Sequence, residues 1–237
     1  MLSSMTAFVR SELGKRANAT RAAQMQKYAK TDMPMYGIQK PERAEVEKAM
    51  YQHIGDAVKD DHNQYTACVQ ALWNLPHREE KYLAIDLAMR YKQHICPASM
   101  PLYESMLREE YMWWDLCDPM AIHLVGGVAL RFPSETEGTL RSWIDDPDSL
   151  WIRRTAILSQ LMHKKKTNDS MLFEFCRTRM HEKEFFIRKA IGWALRQHSR
   201  IQPDLVAAFL TTEKASLSGL SYREGAKHLI KQGKLSA

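Results

Sequence analysis

Trp114 and Asp118 stand four positions apart in the stretch Y-M-W-W-D-L-C-D, which runs from Tyr111 to Asp118. On a helix that spacing puts an indole and a carboxylate on one face, where they can meet. The face of an indole is electron-rich and attracts cations. A carboxylate beside it adds a full negative charge. Trp193, in K-A-I-G-W-A-L-R, offers a second indole, and Arg154, in W-I-R-R-T-A-I-L, a guanidinium suited to phosphate. Together these groups suit a phosphodiester ligand on whose sugar positive charge develops. Cleavage of a glycosidic bond does this through an oxocarbenium-like transition state.

Each of these residues also has a plainer role open to it. Tryptophans often pack in a core, and Trp113, about 100° around a helix from Trp114, is expected to face it. Pro119 disfavours helical backbone at Asp118 and suggests a break there, so Asp118 can cap the helix that follows. Arg154 can be solvated or paired with Asp145, Asp146 or Asp148. Asp115 reads as a solvated or capping residue.

The elements that must position these groups are helices. The chain of 237 residues holds only 10 Gly and 9 Pro, and alternating runs of Val, Ile and Thr are absent. Apolar residues return every three or four positions at Leu83 and Leu87, at Ile152 and Ala156, at Leu158 and Leu161, and at Phe186, Ala190 and Trp193. The helices also resemble one another. E-K-Y-L-A-I-D-L, W-I-R-R-T-A-I-L, F-F-I-R-K-A-I-G-W and S-Y-R-E-G-A-K-H-L each run from a large residue through charge to an alanine. With Ala121 filling the gap, the matching positions are Ala84, Ala121, Ala156, Ala190 and Ala226, spaced 34 to 37 residues apart. That period belongs to helix-pair solenoids of the HEAT-like class. The expected fold is all-α, a superhelix of stacked helix pairs whose concave face gathers one helix from each repeat. A non-repetitive helical bundle is the alternative. The whole chain, 1–237, reads as one repeat domain, its first ~25 residues a helical extension. Met33 to Arg43, with Gly37 and two prolines, reads as a long non-helical approach. Loops are expected at Asn74, Asp145 and Lys164.

Hydrophobic content of 45% marks a folded protein, and 34 basic against 28 acidic residues leave a charge of +6. That excess permits an anionic partner without demanding one. Cys68, Cys96, Cys117 and Cys176 form no C-x-x-C pair, and the nine histidines show no H-E-x-x-H spacing. No metal site is expected, and the cysteines read as reduced thiols. The N-terminus lacks the apolar segment of a signal peptide, and no stretch approaches the ~18 apolar residues of a membrane span. Neither a secreted nor a membrane protein is expected.

Several longer motifs resemble the AlkD-type DNA glycosylases, HEAT-like-repeat enzymes of alkylation repair. They are W-W-D-x-x-D, W-x-x-R-x-A-I-L, K-E-F-F-I-x-K-A-I-G-W-x-L-R and Y-G-I-Q-K-P-E-R, and the similarity runs from about Tyr28 to about Ile230. The resemblance implies a DNA glycosylase that removes N3- and N7-alkylated purines from double-stranded DNA without flipping the base, and with no cofactor. It implies that Trp114, Asp118 and Trp193 form the catalytic trio. Arg154 is then a backbone-phosphate contact, and Tyr28, Gln39, Lys40 and Arg196 are DNA-approaching residues. One departure stands out. A lysine of the family is replaced by Met162, with His163 and Lys164 next to it as substitutes. The implied protein is a monomer, cytoplasmic with the nucleoid, or nuclear in a eukaryote. Two other classes compete: a non-catalytic DNA-binding repeat protein, and a protein-binding scaffold, the commonest use of helical solenoids.

Overall fold

Apolar residues at helical spacing are what build this protein, and the computed structural model describes its residues 1–236. Among the described residues there is no strand. The chain divides into two compact units, Met1–Leu116 and the remainder from Cys117 onward.

The first unit begins with α1 (Leu2–Lys15), which buries Met5, Val9 and Leu13, one residue per helical turn. α1 packs on α3 (Lys40–Ile54) and α4 (His62–Trp73), so the N-terminal segment is part of this core. Between them, α2 (Ala19–Ala29) starts at Asn18, whose side chain accepts the Arg21 N–H at 2.9 Å. The segment after α2 must pass hard against its first turn. A Cβ on Gly37 would lie 2.2 Å from the Asn18 carbonyl oxygen, and its φ is +79°, so glycine is required on both counts. The non-helical approach ends earlier than expected. Lys40 to Arg43 already belong to α3, because Pro41 is tolerated in a first turn and Glu42 accepts the Gln39 N–H at 3.2 Å. α5 (Arg78–Arg90) packs against α3 and α4, and α6 (Met100–Leu107) against α4.

The second unit shows the repeat most plainly. Helical backbone runs from α7 (Trp114–Pro119) through a π-helical stretch, Met120–Val125, into α8 (Gly126–Arg131). α9 (Pro133–Ile144), α11 (Asp169–Arg179) and α13 (Pro203–Thr212) alternate with α10 (Leu150–Leu158), α12 (Phe185–His198) and α14 (Gly219–Lys231). The π-helical stretch packs on α10, α10 on α12, and α12 on α14, while each odd-numbered helix covers its neighbours. Ser149, Asn168 and Ser218 cap α10, α11 and α14 with side-chain oxygens, which places three of the loops.

Small residues set how closely these helices approach. Ala84, Ala121, Ala156, Ala190 and Ala226 are at most 1% exposed, as the repeated pattern requires. At Gly192 the approach is closer still: a Cβ there would sit 2.4 Å from Cβ of Glu224 and 3.0 Å from the Ser221 carbonyl oxygen. All four cysteines are free thiols. No helix among the described residues is long and apolar enough to cross a membrane.

Candidate functional site

The helix carrying the opening motif is anchored before it begins. Arg78, the first residue of α5, is fully buried and donates Nε and Nη2 to the two oxygens of Asp115 at 2.9 and 2.6 Å. Its Nη1 donates to the Tyr111 carbonyl at 3.1 Å. The Tyr82 hydroxyl makes a short hydrogen bond to the same carboxylate. Burial alone would depress the pKa of Arg78, but the Asp115 carboxylate outweighs it and the value is raised. Burial, and then the charge of Asp115, push the Tyr82 phenol up. Asp115 is therefore neither solvated nor a cap. It is the partner of a buried arginine, and the bidentate geometry is the kind that only arginine offers a carboxylate.

Trp114 opens α7 next to this anchor. It is half-buried, and its ring meets that of Tyr28 edge to face, centroids 6.3 Å apart at 79°. Tyr28 is itself 75% exposed. Trp114, expected in the catalytic trio, and Tyr28, expected to approach DNA, thus lie together within the first unit. Trp113 is half-buried rather than enclosed in the core.

Pro119 does not break the helix. It lacks an N–H, so the Asp115 carbonyl receives no bond from that position, and the backbone loosens into a π-helical stretch instead of ending. Asp118 therefore lies inside continuous helical backbone rather than ahead of a new helix. Both of its oxygens take hydrogen bonds from Arg154, from Nε at 2.8 Å and Nη2 at 2.9 Å. Nη1 of Arg154 donates to the Phe186 carbonyl at 2.5 Å, and the guanidinium lies 5.8 Å from that ring's centroid. Arg154 is 4% exposed, so its nitrogens serve the carboxylate and the carbonyl rather than solvent. None of Asp145, Asp146 and Asp148 takes its guanidinium. Arg179 pairs with Asp145 at 2.6 Å, and Arg153 donates to the Asp146 carbonyl at 2.7 Å.

Trp193 is half-buried on α12, one turn before Arg196. Arg196 donates Nη1 to Glu224 at 2.7 Å, and Lys189 and Lys227 bind the same carboxylate at 3.2 and 2.7 Å. The Lys227 and Lys189 hydrogen bonds hold Glu224 below the usual carboxylate range, against its partial desolvation. Three cations are thereby gathered around one acid. Gln39 and Lys40 are exposed at the start of α3. Met162 is 48% exposed. His163 beside it is buried and donates Nε2–H to the Gly126 carbonyl at 2.8 Å, while Lys164 is exposed.

Arg78, Tyr82, Phe186 and Glu224 were not visible as site residues in the sequence. One signal could have found Arg78. It precedes Asp115 by 37 residues, and Asp118 precedes Arg154 by 36. Each pair is one repeat apart, so the period itself proposes the partner. Among the described residues no group of three or more His, Cys, Asp or Glu is placed to hold a metal ion.

A family model described as a DNA alkylation repair enzyme matches residues 9–229. Among solved structures, the chain is similar to a predicted DNA alkylation repair enzyme from Enterococcus faecalis. The two are 30% identical, with a TM-score of 0.78, over 91% of this chain and 97% of that one. No curated protein sequence matches the chain.

Proposed function

The chain belongs to the DNA alkylation repair enzyme family, which makes alkylation repair its role and DNA its substrate, and from that premise we propose that it is a DNA glycosylase. Its substrate in this reading is an N3- or N7-alkylated purine in duplex DNA, and it acts as a monomer without a cofactor. The observation that carries the reading is the fixed Asp118 carboxylate. A buried arginine holds both of its oxygens, at 2.8 and 2.9 Å, one helical turn after Trp114.

The chemistry follows from the lesion. An alkylated purine of this kind is already cationic, so its bond to C1′ is weak and the leaving base needs no proton. That bond breaks with its electron pair going to the base, which departs neutral. Positive charge appears on the deoxyribose as an oxocarbenium-like species. A preorganised carboxylate stabilises it, and the indole faces of Trp114 and Trp193 add their own attraction for a cation. Water then attacks C1′, gives up a proton to Asp118 and leaves an abasic site. Because the work is done at the sugar, the base can stay in the stack, where most glycosylases would flip it.

Arg154 acts in this scheme by orienting Asp118. A phosphate would reach it only at the expense of bonds it already makes. Tyr28, Gln39, Lys40 and Arg196 contact DNA, with Lys164 taking the place of the family lysine lost at Met162. The test is a panel of duplexes carrying 7-methylguanine, 3-methyladenine or an unmodified purine, incubated with the purified protein, with the released bases identified. Release of the two cationic bases alone supports the reading. Tight binding of lesion duplex without release would make the chain a non-catalytic DNA-binding protein.

A further inference from the structure

Arg78, Glu79 and Glu80 are three consecutive charged residues, and none of them exposes any surface. Burying ionised side chains is costly unless each one is paired or hydrogen-bonded. Arg78 reaches forward in the chain, to Asp115 and to the Tyr111 carbonyl. The two acids reach back. Glu79 accepts the backbone N–H groups of Gly37 at 2.8 Å and Ile38 at 3.1 Å on one oxygen, and that of Tyr36 at 3.0 Å on the other. Glu80 accepts the Tyr36 hydroxyl at 3.0 Å and the His77 N–H at 2.7 Å. The backbone joins in, with the Arg78 N–H donating to the Pro34 carbonyl at 2.9 Å.

The two segments tied here are the ones that lead to exposed or half-exposed groups of the candidate site. Met33 to Ile38 delivers Gln39 and Lys40, and Tyr111 to Asp115 delivers Trp114. Neither segment is helical until Lys40 and Trp114, so neither holds itself in place by its own ladder of hydrogen bonds. Buried ion pairs add little to stability compared with apolar residues of the same size, but they fix direction and distance. We propose that Arg78-Glu79-Glu80 is a positioning hub, in which Arg78 sets Trp114 through Asp115 and Tyr111 while Glu79 sets Gln39 and Lys40 through three backbone amides. The hub residues touch no substrate. The proposal rests on reading Trp114 as the lesion-facing residue and Gln39 and Lys40 as DNA contacts.

Three conservative variants of the full chain test it: Arg78→Lys, which keeps the charge but loses the fork, Asp115→Asn and Glu79→Gln. Excision of 7-methylguanine is measured under single turnover at saturating enzyme, and affinity is measured separately on undamaged duplex. A displaced Trp114 is expected to slow excision about ten- to a hundredfold in Arg78→Lys and Asp115→Asn, with duplex affinity unchanged. Glu79→Gln is expected to weaken duplex affinity about tenfold, with the saturated rate unchanged. If rate and affinity fall together in all three, in step with loss of melting temperature, the residues are only structural and the proposal fails.

A second readout is independent of catalysis. Protein labelled with 5-fluorotryptophan gives one fluorine resonance for each of its six tryptophans, and Trp114→Phe identifies the one of interest. That resonance is expected to move in Arg78→Lys and Asp115→Asn and to stay in place in Glu79→Gln. A Trp114 resonance unmoved by the first two variants overturns the Arg78 arm. Should wild-type protein release no 7-methylguanine, the glycosylase reading falls, and the fluorine spectra still decide whether the hub places Trp114.

Discussion

Arg154→Met removes a guanidinium while keeping an unbranched side chain in its space. In the native protein the two oxygens of Asp118 each take one Arg154 hydrogen bond, at 2.8 and 2.9 Å, and the Asp118 side chain is 14% exposed. The variant takes both of those hydrogen bonds from the carboxylate and leaves a thioether in the place of the guanidinium. Unit charges about 4 Å apart attract by about 4 kcal/mol at an effective dielectric constant near 20. Removing one partner of a buried pair costs about 3–5 kcal/mol, and the partial exposure of Asp118 places this case near ~3 kcal/mol. In a chain of this length that is roughly 6–12 °C of melting temperature. Adding Asp118→Asn removes the charge that has lost the guanidinium, so the double variant should be more stable than Arg154→Met by about 1–3 kcal/mol. The assay is calorimetry on wild type, both single variants and the double variant, alongside duplex binding across a series of salt concentrations. With the guanidinium committed to Asp118, the slope of log affinity against log salt should not change. An Arg154→Met protein that melts like wild type and loses about one unit of salt slope would refute this, because arginine would then be binding phosphate.

Other substitutions probe the packing and the surface. Gly192→Ala should cost about 1–3 kcal/mol in denaturant unfolding, since its Cβ would fall 2.4 Å from Cβ of Glu224 and α12 must part from α14; an unchanged midpoint would show that the helices yield freely. Burial lowers the pKa of His163 below its ordinary 6.5, outweighing the Gly126 carbonyl bond that raises it. The folded protein therefore holds the imidazole neutral, the unfolded chain takes up the proton first, and the stability due to this group is full above about pH 6.5 and lost as pH falls below it. His163→Gln keeps a donor for Gly126 and should show a shallower fall in melting temperature on acidification than wild type; an equal fall would clear His163 of the effect. Met162→Lys should steepen the salt slope of duplex binding by about one unit if the exposed site faces phosphate, and an unchanged slope would place Met162 away from the DNA.

Much of the architecture was legible because it rests on periodicity. The alanines that recur every 34 to 37 residues are the buried points of helix contact, and the apolar residues around them return every three or four positions, as on one face of a helix. Boundaries set by a single residue were less legible. Pro119 ordinarily ends a helix, yet here the backbone continues past the missing N–H in a π-helical stretch, which packs against α10. Asp115 was unreadable for a related reason. A carboxylate at the start of a helix has a local role open to it, and only tertiary structure brings the buried Arg78 from 37 residues away. Arg154 shows the same limit from the other side. Its residue type suits phosphate and carboxylate equally, and burial is what selects the carboxylate. The buried charges of Arg78-Glu79-Glu80 look from sequence like an ordinary solvated first turn, because nothing local marks three ionised residues as interior.

The most direct measurement is the single-turnover rate of 7-methylguanine release from one duplex by wild-type protein and by Asp118→Asn, both at saturating enzyme. Asparagine keeps the shape of the side chain and removes its charge, so wild type should release the base and the variant should be slower by on the order of a hundredfold or more. Equal rates in the two proteins would contradict the role given to the Asp118 carboxylate.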